Sequence, residues 1–256
     1  RYRPTTISGV PTMIAMLLGE RETLARTDIS SVEEVSIGSA PASRRLLELI
    51  GETFANPRIV IQYGLTEGGP RMMGEHPAGL ARPFGSCGYP LAGGKVKLVG
   101  GPHDDEGELW VKNPGVMLGY HNLPDLTADR LVDGWFKTGD VLRRDADGFY
   151  FFVGRTDDMF NCGGENIYPG EVEQLLERHP DVVQAAVIAV DHEMKGEVPH
   201  AFVIRRPGAT LDEAALKAFA IANGPAYQHP RRVIFLDALP LASTNKIDKA
   251  ALKSML

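Results

Sequence analysis

Hydrophobic and polar positions follow three successive rhythms along this chain. Over residues 1 to about 75, helix-period and strand-like runs alternate. Pro11 to Leu18 reads as helical, Glu34 to Ile37 as a strand, Ser43 to Phe54 as an amphipathic helix and Ile59 to Gln62 as a buried strand. This alternation predicts α/β layers. From 80 to about 153, Gly and Pro turns punctuate short β-rich runs at Lys95 to Val99, Glu108 to Lys112, Val141 to Arg143 and Phe149 to Val153, which predicts a small barrel or sheet. After Asp157 the pattern becomes a helix at 170 to 178, strands at 182 to 190 and 198 to 205, a helix at 211 to 222 and a strand at 232 to 236. A Ser/Thr/Asn loop and a short last helix follow. That is a compact α+β unit of about 100 residues, within the usual range for a domain.

Composition narrows the function classes. The net charge of -6 gives no basic stripe for neutralising phosphates along DNA or RNA. Only Cys87 and Cys162 occur, without metal-like spacing, which fits a reducing, cytoplasmic setting. The longest apolar run, Val182 to Val190, is far short of the roughly 20 residues that span a bilayer. Any anionic ligand must therefore meet a local positive site.

Several motifs carry candidate chemistry, and each also has a plainer reading. Tyr63-Gly64-Leu65-Thr66-Glu67 follows a strand, where α/β proteins place ligands. Thr66 suits a phosphate oxygen and Glu67 suits Mg²⁺, a hard ion that prefers oxygen ligands; a solvated helix start uses the same residues. Gly38-Ser39-Ala40-Pro41 admits a flat ring against small residues, or is a βα turn in which Ser39 or Ser43 caps the next helix. Thr138-Gly139-Asp140 is a turn between strands or a carboxylate apt for a diol. Asp157 and Asp158 beside Gly163 and Gly164 suit either an ordinary hairpin or a segment that pivots. Gly93-Gly94-Lys95 precedes strand-spaced Val96, Leu98 and Val99, so it reads as a turn and not a phosphate cradle. Cys162 has no evident base nearby and reads as structural.

Taken in order, Gly38 to Pro41, Tyr63 to Glu67, Gly107 to Val111 with Gly119-Tyr120, Trp135 to Asp140, Gly154 to Glu173 and Pro240 to Asp248 resemble the adenylate-forming superfamily of acyl-CoA ligases, luciferases and peptide-synthetase adenylation domains. The resemblance covers nearly the whole chain and is strongest to acid-CoA ligases. It implies that 1–156 is the C-terminal portion of the large AMP-binding domain, with a β-barrel-like subdomain at about 80–153. Residues 157–256 would be the mobile α+β lid, turning about a hinge at Asp157. By resemblance, Gly38, Ser39, Ala40 and Pro41 form the adenine turn and Tyr63 stacks on adenine. Gly64 belongs to the nucleotide site, Thr66 contacts the α-phosphate and Glu67 holds Mg²⁺, both of them catalytic, and Asp140 and Arg155 contact the ribose. Lys246 resembles the catalytic lysine of adenylation, Gly163 and Gly164 the pantetheine path, and His229 and Arg231 the CoA nucleotide site. Asn245 stands where the family commonly has Gly; Asn tolerates left-handed backbone angles, so the loop is expected to persist.

The implied substrates are a carboxylic acid, fatty or aryl, with ATP and CoA. The family's Ser/Thr/Gly-rich phosphate loop has no match here and the chain opens on Arg1, so it is expected to be part of a protein about twice as long. The missing half would be cleaved away, present in the protein but outside this stretch, or a separate chain, and the fragment alone would be inactive. A carrier-protein-loading adenylation enzyme and a catalytically silent nucleotide- or CoA-binding module are the alternatives.

Overall fold

The computed structural model describes residues 2–101, 103–243 and 246–256. The chain divides into two compact units, one of residues 1–42 and 50–157, the other of residues 43–49 and 158–256.

In the first unit a parallel sheet of order β1-β2-β3 is built from β1 (Thr6–Gly9), β2 (Glu34–Gly38) and β3 (Arg58–Gln62). Helices α1 (Pro11–Gly19), α2 (Arg21–Arg26) and α3 (Arg44–Thr53) lie between the strands in sequence. Pro11 starts α1, where its fixed φ and missing N–H cost nothing. Val35, Ser36 and Ile37 are buried on consecutive positions of β2, as a central strand covered on both faces requires. The expectation of a buried strand at Ile59 to Gln62 needs correction. β3 lies at the end of this sheet, and Val60 is its one buried residue. Helix α2 went unpredicted because it buries no residue and so carries no amphipathic signature.

The β-rich stretch forms a short pair, β4 (Met73–Gly74) with β5 (Tyr89–Pro90), and a five-stranded antiparallel half-barrel. Its strands are β6 (Lys95–Val99), β7 (Glu106–Lys112), β8 (Leu131–Val132), β9 (Trp135–Arg144) and β10 (Tyr150–Arg155). They run in the order β10-β9-β7-β6 with β8 beside β9, and helix α4 (Pro124–Arg130) precedes β8. Gly107, Leu109 and Val111 alternate inward along β7, and Leu109 and Val111 join Phe136, Leu142, Tyr150, Met72, Met73 and Tyr63 in one core.

Strand β9 extends well beyond the expected 141–143, and Thr138-Gly139-Asp140 lies inside it. The plain-turn reading of that tripeptide is therefore overturned. Trp110 lies opposite Lys137 and Glu108 opposite Val141, so Leu109 alone faces Thr138, Gly139 and Asp140. A second irregularity between Phe152 and Gly154 places a bulge on the other flank of β9. Bulges re-aim side chains where a ladder would otherwise fix them.

In the second unit, β11 (Phe160–Cys162) and β12 (Glu165–Ile167) form a hairpin. Helix α5 (Pro169–Glu177), β13 (Val182–His192), β14 (Gly196–Arg205), α6 (Glu213–Asn223), β15 (Arg232–Phe235) and α7 (Lys249–Lys253) follow. β14 pairs with β13, with β15 and, through Cys162 opposite Gly196, with β11. Both faces of this sheet are covered. Val172, Leu175, Leu176, Leu216 and Ala220 meet Ala185, Val187, Ala201, Val203 and Val233 in one cluster. Leu239 and Leu252 meet Ala186, Ile188 and Phe202 in another. Two-sided burial explains why the 182–190 run reads as nearly continuous apolar sequence.

Among the described residues, no strand neighbours the outer N–H groups of β13. Glu177 Oε1 accepts the Ala185 N–H at 3.0 Å and Glu173 Oε1 the Val187 N–H at 2.8 Å, so two helix carboxylates stand in for the missing acceptors. Burial pushes the Glu177 carboxyl up to about 8. A raised folded-state value means the folded chain holds the extra proton, so this group's contribution is complete below the unfolded carboxylate range and is lost as pH rises toward about 8. Glu177→Gln keeps an acceptor oxygen without the titration. Thermal melts between about pH 5 and 8 should show a shallower fall in Tm for this variant than for the wild type; equal slopes would contradict the assignment.

Candidate active site

After β3 the chain makes a tight loop from Tyr63 to Met72. It is closed by the Leu65 N–H on the Gly69 carbonyl (3.0 Å) and the Met72 N–H on the Tyr63 carbonyl (2.9 Å). Gly64 is required by close approach: a Cβ there would lie 2.3 Å from the Pro70 carbonyl oxygen, a backbone atom with little room to retreat. The Glu67 carbonyl accepts the Met117 N–H at 2.8 Å, and its carboxylate accepts the Tyr120 hydroxyl at 3.0 Å. Thr66 is exposed and Glu67 half-buried. A Mg²⁺ ion commonly takes one or two protein carboxylates and completes its shell with phosphate oxygens and water. Glu67, accepting one hydroxyl and otherwise open, fits that donor set, and among the described residues there is no larger His/Cys/Asp/Glu cluster.

The Tyr63 ring is buried in the core and its hydroxyl donates to Asp140 Oδ2 at 2.7 Å, across 77 residues of sequence. Arg155 Nη1 donates to Asp140 Oδ1 at 2.8 Å, while Arg155 Nε and Nη2 hold Asp157 at 2.8 and 3.0 Å. One guanidinium thus spans the candidate ribose aspartate and the candidate hinge. Asp140 is 4% exposed. Burial pushes its carboxyl up, against the pull of the Tyr63 hydrogen bond and the Arg155 charge. The hydrogen bond from Arg155 draws the Asp157 carboxyl down. Burial, followed by the Asp140 charge, raises the Tyr63 phenol well above its ordinary value.

Gly38 ends β2 opposite Gln62, so the Gly38-Ser39-Ala40-Pro41 turn leaves the sheet beside Tyr63. Ser39 adopts φ +67 and is exposed, a left-handed conformation costly for serine and found at ligand sites more than elsewhere. Ser43 supplies the cap of α3, its Oγ accepting the Leu46 N–H at 3.1 Å.

In the second unit Lys246 is exposed on a loop closed by the Ala242 N–H on the Lys246 carbonyl (2.8 Å) and a bridge between Leu241 and Ile247. The expectation for Asn245 falls outside the described residues. Gly163 and Gly164 make the β11–β12 turn at φ +64 and +98, matching the two-residue hairpins that need positive φ at both positions. The Gly163 N–H donates to the Lys195 carbonyl at 2.9 Å. Arg231 Nη1 donates to the His229 carbonyl at 2.7 Å, and His229 Nδ1 meets the Ala226 carbonyl. Partial burial lowers the His229 value, and the charges of Arg231, Lys195 and Lys217 reinforce that direction. The glycine turn, His229 and Arg231 are thereby grouped with Lys195, which sequence reasoning missed because its turn approaches them only through the β13–β14 hairpin. Cys162 and Cys87 are buried and free, in keeping with structural roles.

Comparison with known proteins decides the family. Residues 1–121 match the AMP-binding enzyme family and residues 171–246 the AMP-binding enzyme C-terminal domain. The chain belongs to the adenylate-forming superfamily. It is 38% identical over 225 residues to a 2-succinylbenzoate--CoA ligase of Geobacillus kaustophilus (strain HTA426), covering 86% of this chain and 45% of that protein. Among solved structures, an amide bond synthetase from Marinactinospora thermotolerans superposes with TM-score 0.87 at 32% identity, over 99% of this chain and 52% of that one. An anthranilate CoA ligase in complex with anthranoyl-AMP superposes with TM-score 0.86 at 30% identity, over 100% and 50%. The chain therefore spans about half the length of the relatives it matches. As an adenylate-forming chain it has α/β layers, a half-barrel and an α+β unit, the fold class expected from its sequence. No helix among the described residues is long and apolar enough to cross a membrane.

Proposed function

We propose that this chain is the AMP- and CoA-handling part of an ATP-dependent acid-CoA ligase that works through an acyl-adenylate in the cytoplasm. The observation that carries the reading is the Tyr63–Asp140–Arg155–Asp157 network, buried at Tyr63 and Asp140 and open to solvent at Asp157, which joins the candidate diol-binding carboxylate to the residue at the boundary of the two units. In the first half-reaction a carboxylate oxygen of the acid attacks the α-phosphorus of ATP and pyrophosphate leaves, giving the mixed anhydride. In the second, the CoA sulfur attacks the acyl carbon and AMP departs with its bonding electron pair, while the thiol proton passes to solvent.

Asp140 and Arg155 hold the ribose hydroxyls, Gly38 to Pro41 and Tyr63 flank adenine, and Gly64 and Thr66 adjoin the α-phosphate. Glu67 would hold Mg²⁺, which supplies charge neutralisation at the phosphates. Lys246 brings a mobile ammonium to the charge that develops during adenylation. The lid turns about Asp157 between half-reactions, and Gly163 and Gly164 then line the pantetheine path. The grouping of Lys195, His229 and Arg231 offers positive charge and donors to the CoA phosphates, which favours CoA over a carrier-protein arm as acceptor. AMP release by the ligase carrying this chain, assayed with a fatty and aryl acid panel, should be driven by CoA and not by a phosphopantetheinyl carrier. Release driven by the carrier alone would overturn the acceptor.

A further inference from the structure

The bulge in β9 leaves its own amides without ladder partners, and the way they are satisfied points to a residue outside the nucleotide contacts. The Gly139 N–H donates to Glu108 Oε1 at 3.0 Å, and Thr138 Oγ1 donates to the Leu109 carbonyl at 2.7 Å. On the far side, the Gly139 carbonyl accepts the Thr156 N–H at 2.8 Å, next to Asp157. The second oxygen of Glu108 accepts the Trp110 Nε1–H at 2.9 Å. Lys97 Nζ lies 4.6 Å from the centroids of both the Trp110 and Trp135 rings, placing a cation on the same aromatic wall. Gly139 itself sits at φ +74, where a Cβ would lie 3.1 Å from Arg155 Nη2 and 3.2 Å from Arg130 Nη1. The bulge is therefore held at the peptide groups on both sides of Gly139.

We infer that Glu108 is a positioning residue for the nucleotide site: its carboxylate replaces the missing ladder acceptor and fixes the bulge that aims Asp140 at Tyr63 and Arg155. This rests on the proposed reading of Asp140 as a nucleotide contact. Two donors converge on Glu108, so an acceptor-only group is required. Glutamine has one acceptor oxygen and must turn its amide N–H onto one of those donors, whereas removing the indole N–H frees that oxygen for Gly139.

The test is calorimetric titration of AMP, which needs no β- or γ-phosphate site, into the wild-type chain, Glu108→Gln, Trp110→Phe and the double variant, with amide exchange at Gly139 followed in each. The expected result is a loss of about tenfold in AMP affinity for Glu108→Gln (~1.4 kcal/mol), with faster Gly139 exchange and little change for Trp110→Phe. The double variant should recover to within about threefold of wild type, which a general loss of stability cannot produce by adding a second truncation. AMP binding by wild type with undiminished affinity in Glu108→Gln, or no recovery in the double variant, overturns the positioning role and leaves the nucleotide reading standing. A wild-type chain that binds no AMP overturns the nucleotide reading, and the inference falls with it.

Discussion

Asp140→Asn is expected to weaken AMP binding by about 10- to 100-fold, since hydrogen bonds to a charged group contribute about 1.5–3 kcal/mol each. The wild-type carboxylate accepts Tyr63 on one oxygen and Arg155 on the other, and each oxygen keeps a lone pair for a ribose hydroxyl. An amide offers one acceptor and turns an N–H pair toward a donor. Either the buried Tyr63 hydroxyl or the Arg155 guanidinium then faces a like group, and the diol loses one of its two acceptors. The substitution should also cost about 1–3 kcal/mol of stability for the unsatisfied buried donor. Calorimetry with AMP, read beside a thermal melt, separates the two effects. A variant that melts lower but binds AMP as tightly as wild type would show that Asp140 is a structural anchor and not a nucleotide contact.

Lys246→Ala should suppress adenylation by about 10²–10³ in rate, the scale lost when a preorganised electrostatic group is removed from a developing charge. It should spare thioester formation from supplied acyl-adenylate. Asp157→Pro should do the reverse. Proline fixes φ and removes the N–H at the position about which the chain must turn, so the first conformation remains reachable while the second does not. Pyrophosphate exchange reports the first half-reaction, and CoA thioester formation from the supplied adenylate reports the second. Loss of the same half-reaction in both variants would contradict a lid with two working positions.

The sequence made visible those parts of the site whose residues are contiguous. Tyr63 to Glu67, Gly38 to Pro41 and the Gly163-Gly164 turn each sit within one loop, where residue type and spacing bear directly on local backbone shape. Pairings across long sequence distance were hidden. Nothing local to Tyr63 says that its hydroxyl meets Asp140, and nothing local to Glu108 says that its carboxylate caps Gly139. The β9 bulge was equally unreadable, because a bulge is a mismatch of count between two strands and each strand alone looks regular. Gly139 takes a positive φ inside the strand, and a Gly-Asp pair that serves a bulge in this way reads locally like one that serves a turn. Helices α2 and α4 bury no residue, so periodicity had nothing to register. The strand at Ile59 to Gln62 was read as buried from its side chains, although an end position in the sheet leaves Ile59 and Ile61 half-covered and Gln62 exposed. Nothing in the 170 to 178 pattern announces that Glu173 and Glu177 turn toward the outer amides of β13.

The central claim is that the acid is activated by bonding to the α-phosphorus of ATP before CoA attacks. The measurement that tests it most directly uses a carboxylic acid labelled with oxygen-18 in both carboxyl positions, turned over with ATP and CoA by the ligase carrying this chain. Mass spectrometry of the products should find one labelled oxygen in AMP and none in pyrophosphate, because the carboxylate oxygen that attacks phosphorus leaves with AMP when the thioester forms. Label in inorganic phosphate, or unlabelled AMP beside the completed thioester, would contradict an acyl-adenylate route.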